Sequence, residues 1–217
     1  MMALTFYYGS GSPYAWRVWL ALEHKGIAYE LKTVSFSTGD LAKPEYAAIN
    51  PRSKVPAITD GDFSLYESAA ILEYLEEQYS TGKVLFPGSV RQRAVLRRLV
   101  REGDEYLAHA LEQLVDHILF TKQEKWNLQE IAAGREAFLK ELDTFESYLH
   151  GDWFGGELSA ADFTLYPIIA LCVRMEKKKT DLNITGSIGP KIAAWMKRIE
   201  ALPYYDKTYP PHWKAKT

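Results

Sequence analysis

Gly-Ser-Gly-Ser-Pro-Tyr-Ala at residues 9–15 separates an apolar run at residues 4–8 from a second apolar run at residues 16–22. The first run, Leu-Thr-Phe-Tyr-Tyr, has the composition of a β-strand. Ser12 followed by Pro13 is typical of a helix start, because serine caps the first turn and proline already has the backbone angle of the first helical position. The stretch therefore predicts a corner between a strand and a helix that ends near Gly26.

The segments after this corner predict a mixed sheet. Residues 27–34 form a second strand candidate, which a strand-helix-strand unit would place parallel to the first. Residues 55–59 and 62–65 flank Asp60-Gly61, a two-residue turn that is typical of a hairpin. Residues 68–79 follow as an amphipathic helix. This order of elements resembles the thioredoxin fold.

Strand signals stop after the glycine- and proline-bearing stretch at residues 80–88. From Arg91 onward, leucine, valine and isoleucine recur at the three- and four-residue spacing of helices. We therefore expect an α/β plus all-α chain: a thioredoxin-like domain with a four-stranded mixed sheet (residues 1–80), a linker (81–90) and an all-helical domain (91–217). Gly103 interrupts the apolar stripe, which predicts a kink or the close approach of another backbone.

The composition of the 217 residues narrows the function classes. Twenty-six basic and 28 acidic residues give a net charge of −2, so no overall field attracts nucleic acid or an anionic membrane. The one cysteine, Cys172, excludes an internal disulfide or a multi-cysteine metal site, and its apolar surroundings predict an inert core residue. The near-neutral charge favours small-molecule or protein partners. Without a basic leader or a run of about 20 apolar residues, we expect a cytoplasmic protein.

Two further stretches have residues suited to ligand binding. Val55-Pro56 stands at the head of a predicted strand, where the proline is either a tolerated edge residue or a cis residue that exposes the preceding backbone to a peptide. Glu67-Ser68 stands between a strand and a helix. The pair either caps the helix or binds an amino-acid end, with Ser68 and the helix N-terminus facing a carboxylate and Glu67 facing an ammonium group.

The strand-to-helix corner resembles the dithiol corner of glutaredoxins, which carry Cys-Pro-Tyr-Cys there. Ser12 and Ala15 stand at the two sulfur positions, so this chain cannot perform disulfide exchange at the corner. A helix N-terminus favours a thiolate, and the corner could hold the thiolate of another molecule instead.

In order and spacing, these motifs resemble the glutathione site of cytosolic glutathione transferases. The matching runs are Ser12-Pro13-Tyr14, residues 50–56 and residues 67–71, and Ser12 to Arg17 has the Ser-Pro-aromatic-x-x-Arg spacing of tau-like members. The resemblance is to serine-type members, of the tau, phi or zeta kind or a bacterial relative. It continues at residues 155–162, which match the family's capping box with Ser159 and Asp162, and at residues 190–203.

The resemblance implies a role for each matching position. Val55 would pair with glutathione through its backbone, Pro56 would be cis, and Glu67 and Ser68 would hold the γ-glutamyl end. Lys54 and Lys43 would neutralise the glycine carboxylate. Ser12 would donate a hydrogen bond to the thiolate, with Tyr7, Tyr8 and Ser10 as the alternatives to Ser12.

The same resemblance implies a cytosolic homodimer that conjugates glutathione, as a co-substrate and without a metal, to small hydrophobic electrophiles. Ser10, Tyr14 and Tyr106 are candidates for the electrophile pocket, and Asp104 is a candidate contact to the partner subunit's glutathione. Two alternatives are a glutathione-dependent isomerase or dehalogenase, and a non-enzymatic interaction or ligand-carrying protein with the same fold.

Overall fold

The computed structural model describes residues 4–214, which form two compact units. One unit contains the chain up to Phe86 and the segment from Leu202 onward, and the other is Pro87–Ala201. The helices are α1 (Pro13–Lys25), α2 (Pro44–Ala47), α3 (Ser68–Gln78), α4 (Val90–Glu102), α5 (Ala108–Ile118), α6 (Leu128–Tyr148), α7 (Ala160–Met175), α8 (Pro190–Glu200) and α9 (Tyr205–Thr208).

The first unit is built on a four-stranded sheet. Its strands are β1 (Leu4–Tyr8), β2 (Tyr29–Thr33), β3 (Ala57–Asp60) and β4 (Phe63–Tyr66), in the order β2-β1-β3-β4. β1 pairs with β2 in parallel, and the other two pairs are antiparallel. The predicted mixed sheet and thioredoxin-like fold are confirmed.

Helix α1 begins and ends where its sequence predicts. Ser12 is its N-cap, Pro13 is its first residue, and Gly26 ends it in the left-handed conformation, with a φ of 69°. Trp16, Leu20 and the other apolar residues of α1 from Ala15 onward are buried. The helix thus joins the corner rigidly to the core of the first unit.

The segment from Leu202 packs on α1 although its sequence was assigned above to the helical domain. The indole Nε1 of Trp16 donates to Thr208 Oγ1 at 3.2 Å, and the Trp16 ring lies 5.5 Å from that of Trp213 and 5.8 Å from that of Tyr209. The segment is a series of short turns rich in aromatic residues. Such a pattern does not indicate which surface the aromatic side chains cover.

The second unit is helical, and Gly103 marks a change in its helix geometry. Residues Gly103–Leu107 form a π-helical segment between α4 and α5. A Cβ at Gly103 would lie 3.0 Å from Leu165 Cδ2 and 3.1 Å from Thr164 Cγ2, both on α7. Of the two predicted alternatives, Gly103 therefore shows the irregular helix, and the atoms that approach it are side-chain atoms of α7 and not another backbone.

Asp162 organises the start of α7. Its carboxylate accepts from the N–H and hydroxyl of Ser159, each at 2.9 Å, from the N–H of Phe154 at 3.1 Å, and from Trp195 Nε1 at 2.8 Å. Complete burial raises the pKa of Asp162 to about 6. This is the capping box that the sequence analysis expected, and its role is structural.

Cys172 is buried on α7, where burial raises the pKa of its thiol well above the usual value. A thiol in this state is a poor nucleophile. Between residues 4 and 214, no helix has both the length and the apolar character that a membrane span needs.

Candidate active site

Three segments meet at one end of the sheet in the first unit. Tyr7 on β1 pairs with Ala57 on β3, and Ala57 also pairs with Tyr66 on β4. The chain therefore leaves β1 beside the start of β3 and the end of β4. This register brings the corner at residues 9–12, Val55-Pro56 and Glu67-Ser68 to one edge of the sheet, although they are far apart in sequence.

Ser12 presents a hydroxyl proton at the N-terminus of α1. Its Oγ accepts a hydrogen bond from the N–H of Ala15 at 3.2 Å, which satisfies one of the unpaired donors of the first turn. A serine that accepts in this way still has a proton to donate. No residue in the described chain takes that proton. An anion bound at this position would therefore be stabilised both by the half-buried hydroxyl and by the positive end of the helix.

The alternative hydroxyls, those of Tyr8, Tyr7 and Ser10, have different surroundings. The Tyr8 side chain is 1% exposed, and its buried hydroxyl has no hydrogen-bond partner among the described residues. Burial raises the pKa of Tyr8. Tyr7 lies 5.8 Å from the ring of Tyr46 and lines a separate cavity of about 430 Å³. The Ser10 hydroxyl is 2.6 Å from Nδ1 of His212 and is occupied by that hydrogen bond.

Neighbouring side chains leave no room for a Cβ at either glycine of the corner. A Cβ at Gly9 would lie 2.6 Å from Val55 Cγ2 and 2.7 Å from Phe36 Cζ. Gly11 has a φ of +87°, and a Cβ there would lie 2.7 Å from His212 Cε1. Sequence reasoning missed Phe36, which is 52% exposed, and His212, because no local pattern indicates contacts at such separations.

The loop before β3 is held by two side chains that sequence reasoning also missed. Asn50 Nδ2 donates to the carbonyl of Lys54 at 2.7 Å, and the Tyr46 hydroxyl donates to the same oxygen at 2.5 Å. The Val55–Pro56 bond that follows is cis. Within the described residues, the backbone groups of Val55 take part in no turn or loop hydrogen bond. The Lys54 side chain is exposed, and in the same range of residues it forms no ion pair.

Glu67 and Ser68 form the start of α3. Glu67 has a φ of 68°, a conformation that is strained for a residue with a side chain and that is frequent at functional sites. Its carboxylate is exposed and has no hydrogen bond or ion pair with any residue from 4 to 214. Ser68 is buried, and its Oγ accepts from the Arg17 guanidinium, which also lies 5.4 Å from the ring centre of Tyr14. Arg17 thereby links the starts of α1 and α3.

Three other predicted site residues belong to other segments of the chain. Lys43 is exposed and pairs with Asp40 at 2.6 Å, which raises the pKa of Lys43, and it lines the same cavity as Tyr7. In the second unit, Asp104 and Tyr106 lie in the π-helical segment. Tyr106 is 58% exposed and borders a cavity of about 190 Å³.

Comparison with known proteins agrees with this architecture. Residues 11–78 match the glutathione S-transferase N-terminal domain, and residues 129–198 match the glutathione S-transferase C-terminal domain. The chain is 31% identical to the maleylacetoacetate isomerase of Mus musculus, over 90% of this chain and 87% of the relative.

Two solved structures are similar over almost the whole chain. A glutathione S-transferase from the Antarctic clam Laternula elliptica is 30% identical, with a TM-score of 0.82 over 99% of this chain and 95% of the other. A glutathione transferase from Burkholderia graminis, with two glutathione molecules bound per subunit, is 25% identical, with a TM-score of 0.85 over 96% and 88%.

The fold and the site define the class of the protein: it has the thioredoxin-like unit and the all-helical unit of a glutathione transferase, with a serine at the strand-to-helix corner. The chain belongs to the glutathione S-transferase family and is an enzyme of that family. The resemblance inferred from its motifs is therefore confirmed.

Proposed function

We propose that the chain binds glutathione at the sheet edge of the first unit and transfers it to small hydrophobic electrophiles. The observation that carries the proposal is the juxtaposition of three unused recognition groups at one edge. These are the free proton of Ser12, the backbone of Val55 and the carboxylate of Glu67. A protein that only kept the fold would not need all three.

Glutathione is recognised in this proposal by charge and by backbone pairing. Glu67 accepts from the γ-glutamyl ammonium group, while Ser68 and the N-terminus of α3 bind the neighbouring carboxylate. The backbone of Val55, before the cis residue Pro56, pairs with the cysteinyl part. The unpaired ammonium of Lys54 suits the glycine carboxylate, and Lys43 is a second candidate that would first leave Asp40.

Ser12 favours the thiolate over the thiol. A free thiol has a pKa of about 8.5, and each unit of depression requires about 1.4 kcal/mol of differential stabilisation. One hydrogen bond to a charged group contributes about 1.5–3 kcal/mol, which corresponds to one or two units. The sulfur lone pair then forms a bond to an electrophilic carbon, and the leaving group departs with its electron pair. No covalent enzyme intermediate or metal is required.

We also propose roles for residues that would contact the electrophile and a partner subunit. Ser10, Tyr14 and Tyr106 are candidate contacts of the electrophile. Asp104 is a candidate contact to the glutathione of a partner subunit in a homodimer. We further propose that the protein works in the cytoplasm.

Isomerisation is the second candidate reaction, and the similarity to a maleylacetoacetate isomerase favours it. In an isomerisation, the thiolate adds to a conjugated double bond, rotation follows, and elimination returns glutathione unchanged. The same site serves both reactions. They differ in whether glutathione is consumed.

The test combines a binding measurement with product analysis. Calorimetry should show glutathione binding that Glu67→Gln weakens, with the exposed Glu157→Gln in the second unit as the matched control. Turnover of an activated aryl halide should consume one glutathione per product. Conversion of a cis-enedione acid without glutathione loss would assign isomerisation instead. Binding without turnover of either probe would favour a ligand-carrying protein, and absence of binding would refute the proposal.

A further inference from the structure

We propose that His212, in the C-terminal segment, is a positioning residue that holds the Ser12 corner in its productive geometry. The inference rests on the proposed function, because the corner matters only if it binds the glutathione thiolate. Its central observation is the 2.6 Å hydrogen bond between Ser10 Oγ and His212 Nδ1, which joins residues 202 positions apart.

The imidazole of His212 contacts both residues that precede Ser12. It bonds to the Ser10 side chain, and it lies so close to Gly11 that a Cβ there would be 2.7 Å from Cε1. The N–H of Ser12 donates to the carbonyl of Gly9 at 3.1 Å, so residues 9–12 form a closed turn. Ser10 and Gly11 are the two central residues of this turn. The histidine therefore supports the part of the turn that sets the direction of Ser12.

The segment that carries His212 is itself held in place by packing and by a hydrogen bond. His212 lies in the short 3-10 turn Pro211–Trp213, and the Trp213 ring is 7% exposed and packs edge-on against Trp16, 5.5 Å between ring centres. Lys214 Nζ also donates to the carbonyl of Asp206 at 2.9 Å. Because Trp16 belongs to α1, the histidine and the helix that Ser12 caps are parts of one packed cluster.

The hydrogen bond also decides which hydroxyl is available. When Nδ1 of His212 has no proton, the Ser10 hydroxyl must donate to it and has no proton left for a sulfur. Of these two serines, Ser12 is then the one that keeps a proton to donate. Without His212, the Ser10 side chain would be released and the turn could take other geometries. A displacement of about 1 Å at a reacting centre can cost up to about 10²-fold in rate, so a looser turn has a measurable effect.

The experiment compares His212→Ala, His212→Asn, Ser10→Ala and the double alanine variant. The readouts are the pKa of the bound glutathione thiol, from thiolate absorbance against pH, and kcat with the substrate that the wild type turns over. Asparagine is included because its side-chain oxygen can accept from Ser10 much as Nδ1 does. The exposed His150→Ala in the second unit is the control.

We expect His212→Ala to raise the thiol pKa by about one unit and to lower kcat by about tenfold, with glutathione affinity changed less than about twofold. Ser10→Ala should have the same effect, the double variant should add little, and His212→Asn should restore most of the loss, because the two residues act as a pair.

Additive effects in the double variant, or wild-type values for His212→Ala, would overturn the positioning role while leaving the proposed function intact. Unfolding temperatures identify a variant that has simply lost its fold, and for such a variant the His212→Asn result decides. A wild type that neither binds glutathione nor lowers its thiol pKa would overturn both proposals.

Discussion

Replacing Ser12 separates two roles of one hydroxyl. Its oxygen caps α1 by accepting from the N–H of Ala15 at 3.2 Å, and its proton is proposed to stabilise the thiolate. Ser12→Ala removes both contributions, and loss of a cap to alanine costs about 0.5–2 kcal/mol of stability. Ser12→Gly also removes the hydroxyl, but glycine at a cap costs only a few tenths of a kcal/mol. The backbone of Ser12, at φ −70° and ψ 121°, suits either residue.

The expected effect on the thiol follows from the hydrogen-bond strength. Loss of about 1.5–3 kcal/mol returns the bound thiol from a pKa of about 6.5–7.5 to about 8.5. At pH 6.5 the ionised share of the bound thiol then falls from about 10–50% to about 1%. Conjugation should therefore slow by about 10- to 50-fold in both variants. Above about pH 9 the rates should converge with that of the wild type, because free thiols are then ionised.

The assay is the pH–rate profile of conjugation together with denaturant unfolding. The alanine and glycine variants should share one profile and differ in stability, while Ser12→Thr, which keeps a hydroxyl, should retain the wild-type profile. An unchanged profile in Ser12→Gly would refute the reasoning. A shifted profile in Ser10→Ala with none in Ser12→Gly would assign the role to Ser10.

Three further predictions concern residues around the site and in the core. Ser68→Ala should weaken glutathione binding by about tenfold in calorimetry, through loss of about one hydrogen bond to a carboxylate; an unaltered dissociation constant would remove Ser68 from the site. Burial and Lys83 lower the pKa of His24 to about 4, so the unfolded state takes up a proton before the folded state does as the pH falls. The stability advantage of the wild type over His24→Gln should therefore shrink by up to about 3 kcal/mol between pH 6.5 and pH 4, and a flat difference would contradict the assignment. Asp162→Ala leaves Trp195 Nε1 and three other buried donors without their acceptor and should cost more than about 3 kcal/mol in urea unfolding; a loss below about 1 kcal/mol would show that water replaces the carboxylate.

Local features of the chain were predictable because they depend on neighbours in sequence. The cap at Ser12 and the end of α1 at Gly26 each follow from backbone preferences over a few residues. The hairpin was also predictable, but its two-residue turn is Gly61-Asp62 and not Asp60-Gly61, because Asp60 still pairs with Phe63. The order of these elements, with the spacing of the three motifs, was enough to indicate the family. The start of α3 at Ser68 also agrees with its position after a strand.

Contacts between distant segments were decided by the tertiary structure alone. No periodicity in the sequence indicates these contacts. They are the close approach of Phe36 to Gly9, the hydrogen bond from Asn50 to the Lys54 carbonyl and the hydrogen bond between Ser10 and His212. The sequence by itself determined that the corner at residues 9–15 lacks a thiol and has a capping serine. Packing of the C-terminal turn against α1 decided that His212 meets Ser10 and not Ser12, because the partner of each hydroxyl depends on which groups meet in space.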